Sequence, residues 1–346
     1  MMKSSEVILF KLLRIALGNG NPVSLPNVVD WREIIDLSFR QGVPAIVADG
    51  IERVITENTP ELSALSTFDN HEIEDVKYSL FTSVINQEEE YEKRESLIGR
   101  ISKSIGLDFK VLKGISFSRY YPIPEHRYGS DVDFITTDYV KANDYFESKG
   151  IAVDRSIKIH SQFTIRGILF ENHRYLTEES KELNECLLKL LKNSDNTVYP
   201  SDEFNALFCL IHAKKHFLIE DGITLRHICD WAMIRSRCVV SDTKLAKFGL
   251  QKFERPFTEL AQLLMGEIDE DGLSREARLM LENVFKNWEY NTENPDGVHR
   301  IRTLNERRWK QFRDIVGNNW KFKMYNDVSM PRYIVTSIWR HFVGTR

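Results

Sequence analysis

The stretch Leu112-Lys113-Gly114-Ile115-Ser116, followed by Arg127-Tyr128-Gly129-Ser130-Asp131-Val132-Asp133-Phe134, decides the reading of this chain. Val132 to Thr136 has the β-rich composition of a strand, and alternate residues of a strand share a face. Asp131 and Asp133 then project to the same side, about 7 Å apart along the chain. Two parallel carboxylates repel unless a cation lies between them. Mg²⁺ suits such a pair, because it takes one or two carboxylates together with water and substrate phosphates. A third acid from a neighbouring strand would complete a two-metal site.

A second Asp-x-Asp pair, Asp269 and Asp271, lacks this setting and reads as an exposed loop. The first pair follows a short strand, Asp108 to Leu112, and a glycine-led helix stopped by Pro122 and Pro124. After it come a helix over 137–149, with Val140, Tyr145 and Phe146 inward, and two strands around Ile157–Ile165 and Ile168–His173. Arg166-Gly167 supplies the turn between them. This β–α–β–α–β–β order predicts a small mixed sheet carrying helices. The first hundred residues read as helices, with Trp31 to Arg40 and Pro44 onward as clear cases and Glu88 to Arg94 as a solvated charge run. Beyond Ser201 the chain is helical again, with Phe204, Leu207, Phe208, Ile211, Lys215 and Leu218 on one face. The fold class is therefore α+β: an N-terminal helical region (1–104), a mixed-sheet core (105–200) and a C-terminal helical domain (201–346).

Composition sets outer bounds. The 346 residues are 42% apolar and 28% charged, with 17 Gly and 10 Pro, which excludes collagen-like and disordered chains. A net charge of −4 argues against a generic polyanion binder. The four cysteines share no C-x-x-C spacing and fit buried thiols in a reducing compartment. No apolar run reaches the roughly 18 residues of a membrane span, and Lys11 and Arg14 interrupt any signal-peptide core, so a cytoplasmic protein is expected.

The quoted segments resemble the polymerase-β-type nucleotidyltransferase superfamily, and within it a bacterial family with long helical flanks. Leu112-Lys113-Gly114 is similar to the family's strand end, Tyr121-Pro122-Ile123-Pro124-Glu125-His126-Arg127 to its loop, and Ser130-Asp131-Val132-Asp133-Phe134 to its metal-binding strand. Glu171, two residues before His173, matches the family's third acid. His212-Ala213-Lys214-Lys215-His216 and Asp230 match a downstream helix motif and a later aspartate. The resemblance implies that Asp131, Asp133 and Glu171 bind two Mg²⁺ ions. An acceptor hydroxyl would attack the α-phosphorus of an NTP and expel pyrophosphate. It also implies that Lys113, Gly114, Ser116, Arg127 and Ser130 contact the nucleotide and that His173 orders Glu171 from behind. Arg127 equally suits an ion pair with Asp131 or Glu125. The family's usual third acid is Asp, and an apolar residue usually stands where this chain has Asn172. That departure motivates the alternative of a catalytically silent nucleotide-binding or regulatory protein of the same fold.

His212 and His216 stand at i, i+4, the spacing of some zinc sites, but the Glu of a zinc protease is missing and two lysines intervene. They read more simply as core or supporting histidines, with Asp230 beside them in role; alternatively Lys215 and His216 touch nucleotide phosphates. From Gly297 onward there are 11 Lys and Arg against 3 acidic residues, interleaved with Trp309, Phe312, Trp320, Phe322, Tyr325, Tyr333, Trp339 and Phe342. This tail reads as aromatics packing the last helices while the basic groups stay solvated, with RNA binding as the alternative.

Overall fold

A computed structural model describes residues 2–18, 29–56, 70–177, 179–192, 197–219, 222–286, 313 and 316–335. The chain divides into two compact units, residues 1–208 with 233–239, and residues 209–232 with 240–346. The helices α1 (Ser4–Ala16), α2 (Trp31–Arg40), α3 (Pro44–Thr56) and α4 (Asn70–Ser104) open the first unit. The sheet follows: β1 (Phe109–Leu112), a short broken helix α5 (Lys113–Ser118), β2 (Asp131–Thr136), α6 (Tyr139–Ser148), β3 (His160–Ile165) and β4 (Ile168–His173). The helix α7 (Lys181–Lys192) comes after it.

The four strands lie in the order β1-β2-β4-β3. β1 pairs antiparallel with β2, β2 parallel with β4, and β4 antiparallel with β3. The β3–β4 hairpin turns at Arg166 and Gly167, both at positive φ (51° and 85°). Strand alternation gives the sheet two unlike faces. One carries Phe109, Val111, Val132, Phe134, Phe163 and Phe170, which pack with Leu97, Ile98 and Ile101 of α4 and Phe146 of α6. Phe134 stacks on Phe109 with centroids 4.7 Å apart, and Phe163 on Phe170 at 5.7 Å. Each such ring contributes about 1.5–3 kcal/mol by burial. The other face carries Asp131, Asp133, Glu171, His173, Gln162 and His160.

Several local expectations change. On α6 Ala142, Asn143 and Phe146 are buried and Tyr145 packs partly buried against the core, whereas Val140 is exposed. On α4 Leu80, Gln87, Arg94 and Ile101 are buried seven residues apart, joined by Leu97 and Ile98. Arg94, read as part of a solvated charge run, is 2% exposed.

The helix α8 (Asp202–Ile219) is buried on most sides, with Cys209, Leu210, Ala213 and Phe217 joining the apolar residues expected. After it come α9 (Leu225–Arg235), α10 (Asp242–Lys247), α11 (Gln251–Met265), α12 (Arg275–Lys286) and α13 (Asn319–Tyr325). In the second unit Phe217 meets Tyr325 edge-on at 5.0 Å, and the Tyr325 hydroxyl donates to the Glu276 carbonyl (2.6 Å). Phe322 and Tyr325 are buried, in line with the packing reading of the tail; Trp309, Phe312, Trp339 and Phe342 lie outside the described residues. Lys321 departs from the solvated reading. It is 2% exposed, donates to the Phe217 carbonyl (3.0 Å) and lies over the Phe217 ring, and burial pushes its ammonium down to about 8. Among the described residues no helix is long and apolar enough to cross a membrane.

Candidate active site

The sheet register assembles the polar face. Asp133 stands opposite Leu112 on β1 and opposite Glu171 on β4, and Glu171 stands opposite Gln162 on β3. Residues directly opposite share a face, so one row across the sheet brings Asp133, Glu171 and Gln162 together, with Asp131 two residues away on β2. One carboxylate oxygen from each of Asp131, Asp133 and Glu171 lies within 4.8 Å of the others.

Two donors hold Asp133. Lys113 Nζ and His173 Nε2 each lie 2.8 Å from the same Oδ1. Glu171 Oε1 accepts from Gln162 Nε2 at 2.6 Å and has His160 Nε2 at 3.5 Å, while His173 Nε2 is 3.7 Å from Glu171 Oε2. His173 thus supports Asp133 first and Glu171 second. Burial alone would raise the Asp133 carboxyl, but the Lys113 charge and the His173 bond outweigh it and hold Asp133 well below the usual range. For Glu171 burial is likewise overcome, by bonds from His173 and Gln162, and its carboxyl is lowered. Asp131 goes the other way. Burial and the adjacent Asp133 charge raise it, and Lys113 compensates only in part. Against burial, Asp133 raises both Lys113 and His173, whereas burial lowers His160 despite Glu171.

Lys113 reaches Asp133 because the backbone turns sharply where β1 ends. Lys113 has φ 43° and Gly114 φ 21°, ψ −103°. A side-chain-bearing residue at positive φ is strained and such strain concentrates at functional sites. Within the protein a Cβ on Gly114 would meet nothing nearer than the Asp131 carbonyl oxygen at 3.9 Å, so glycine is required there for its φ. The Ser116 hydroxyl is buried and donates to Asn205 Oδ1 (3.2 Å), inside the unit.

The segment entering β2 is packed on two guanidiniums. Arg127 is buried, donates to the Tyr128 carbonyl (2.9 Å) and lies over the Phe117 ring. Arg94 donates to the Gly129 carbonyl. A Cβ on Gly129 would stand 3.5 Å from Arg127 Nη1 and 3.6 Å from Arg94 Nη1. Burial and the Arg127 charge both lower Arg94. Just upstream, His126 bonds Asp49 of α3 through Nδ1 (2.8 Å) and Glu88 of α4 through Nε2 (3.1 Å), which anchors the loop; Ser130, next to Asp131, is exposed. Asn172 points to the opposite face from Glu171. There it donates to Asn143 Oδ1 (2.9 Å) and the Tyr139 carbonyl (3.2 Å), and Ser161 also donates to Asn143 (2.7 Å).

Sequence reasoning missed Arg94, His160 and Gln162. The seven-residue repeat of α4 was a usable signal for Arg94. His160 and Gln162 alternate toward the Glu171 face, a signal that needed the strand register. His212, Lys215, His216 and Asp230 all belong to the second unit.

The three carboxylates offer hard oxygen donors, and burial together with the neighbouring Asp133 and Glu171 charges raises Asp131. A divalent, oxygen-preferring cation fits that donor set. No curated protein matches this chain. The model of a family described as uncharacterised nucleotidyltransferases matches residues 27–266, more than half of the chain, and the protein belongs to that nucleotidyltransferase family.

Proposed function

We propose that this protein is a Mg²⁺-dependent nucleotidyltransferase that transfers a nucleoside monophosphate from an NTP to an acceptor hydroxyl. The acceptor oxygen gives up its proton to water and bonds to the α-phosphorus, the bond from the α-phosphorus to the α–β bridging oxygen breaks, and pyrophosphate leaves with the displaced electron pair. The observation that carries the reading is the convergence of Asp131, Asp133 and Glu171 on one sheet face, beside the strained Lys113-Gly114 turn. Asp131, Asp133 and Glu171 would hold Mg²⁺, which neutralises triphosphate charge and acidifies the acceptor hydroxyl.

The remaining work falls to the chain's own groups. Lys113 and His173 keep Asp133 ionised and fix one of its oxygens. Gln162 fixes Glu171 from β3, so the longer side chain has one orientation. Lys113 also supplies positive charge toward the phosphates, where preorganised cations stabilise developing charge. Arg94 and Arg127 hold the 127–130 segment and thereby the start of β2. Because Asn172 serves a buried network on the far face, its departure from an apolar residue gives no reason to read the site as silent.

The test is NTP binding by titration calorimetry with and without Mg²⁺, together with pyrophosphate release over a panel of hydroxyl acceptors. Mg²⁺-dependent binding that disappears in Asp131→Asn and Asp133→Asn is expected. NTP affinity indifferent to Mg²⁺ or to these substitutions would overturn the proposal.

A further inference from the structure

In the second unit, His212 and His216 of α8 meet His227 of α9. The i, i+4 spacing brings the two α8 rings together on one face, edge to face with centroids 4.3 Å apart, and His227 closes the group at 6.1 Å and 5.2 Å. One ring nitrogen from each histidine lies within 4.8 Å of the other two. His227 is buried, while His212 and His216 are partly exposed, so the cluster has a floor in the protein and an open side. The intervening lysines told against a metal in the sequence. Lys214, however, is turned to another face, where its Nζ donates to the Gly249 carbonyl at 2.9 Å.

His227 is also oriented from behind. The Thr224 backbone N–H and hydroxyl each lie 3.1 Å from His227 Nδ1. With Nδ1 engaged there, Nε2 is the atom that His227 presents to the cluster. The Thr224 N–H donates to Nδ1 here, which places the ring proton on Nε2; binding a cation at Nε2 moves that proton to Nδ1, with the Thr224 hydroxyl oxygen as its acceptor.

We propose that His212, His216 and His227 form a second metal site, taking Zn²⁺ or a similar late first-row divalent ion. Zn–N bonds of about 2.0–2.1 Å put tetrahedral ligands roughly 3.4 Å apart, a distance that small rotations of these side chains reach. Three imidazoles select borderline ions, whereas the carboxylate trio selects hard ones. The two sites are therefore chemically separable. Three protein ligands leave a fourth position for water or another ligand on the open side.

The experiment uses the full chain, stripped with a chelator and titrated with Co²⁺ for its visible d–d bands and with Zn²⁺ against a chromophoric competitor. The expected result is one ion per chain, undisturbed by millimolar Mg²⁺ and by Asp131→Asn/Asp133→Asn. His212→Ala and His216→Ala, at partly exposed positions, should each abolish stoichiometric binding while circular dichroism stays unchanged; they decide the matter even if His227→Ala does not fold. Thr224→Val should weaken Zn²⁺ by roughly 10–100-fold. Substoichiometric binding to the parent chain, binding that survives His212→Ala and His216→Ala, or binding lost with the aspartates would each overturn the proposal.

Discussion

Replacing Lys113 by Met removes one of the two groups that hold Asp133 and keeps most of the side-chain volume. Stranding a fully buried partner costs about 3–5 kcal/mol. Here the lysine keeps some solvent contact (16% side-chain exposure) and His173 still bonds the same oxygen, so the expected loss is about 2–3 kcal/mol. At roughly 2–4 °C per kcal/mol for a unit of this size, the first calorimetric transition should fall by about 4–12 °C. Asp133 is held low in the folded state, so its stabilisation is present above its unfolded pKa and is lost as pH falls through the folded value. The gap between parent and variant should therefore begin to narrow as pH falls below the unfolded carboxylate value of about 4, and close only once the folded carboxyl, held lower, is protonated and needs no partner. At neutral pH a divalent cation should substitute for the missing ammonium, so Mg²⁺ should raise the transition of Lys113→Met more than that of the parent. Equal transitions without Mg²⁺, or equal Mg²⁺ shifts in both proteins, would refute the reasoning.

Gly114→Ala forces a Cβ into φ 21°, ψ −103° and should cost about 1–3 kcal/mol, visible by calorimetry, with NTP binding weakened as the turn relaxes. Lys321→Met should stabilise the second unit by about 1–3 kcal/mol at pH 7. In the parent the folded Lys321 releases its proton near 8 and the unfolded one near 10.5; stability should rise with pH across that window and the advantage of Lys321→Met should vanish above it. Arg94→Met should remove the bond to the Gly129 carbonyl and lower transfer activity more than stability, read as a fall in kcat/KM with a small shift in melting. Asn143→Ala should leave Asn172 and Ser161 short of a buried acceptor and cost about 1–3 kcal/mol by denaturant titration.

Much of the fold was legible because its signals are local. Alternation in 131–136 and the Arg166-Gly167 turn can each be read within a few residues. The parallel pairing of β2 with β4 is not local: it links segments some forty residues apart, and it alone decides that Glu171 faces the aspartates and Asn172 the core. Ser116 was given to the nucleotide by resemblance alone, and no local signal announces its bond to Asn205, 89 residues away. Arg94 and Lys321 were misread because charge argues for solvent until burial supplies a carbonyl for the head group.

The ladder joining β2, β4 and β3 also governs where this chain can change length. Residues 155–158 lie outside the strands, and extra residues there leave strand parity intact. One residue inserted between Ile168 and Phe170 would exchange the two sides of β4, sending Glu171 among the phenylalanines and Phe170 toward the aspartates. Drift in this hairpin is thus confined to paired insertions or to its tip, and transplanting the site onto another scaffold requires keeping the odd–even count.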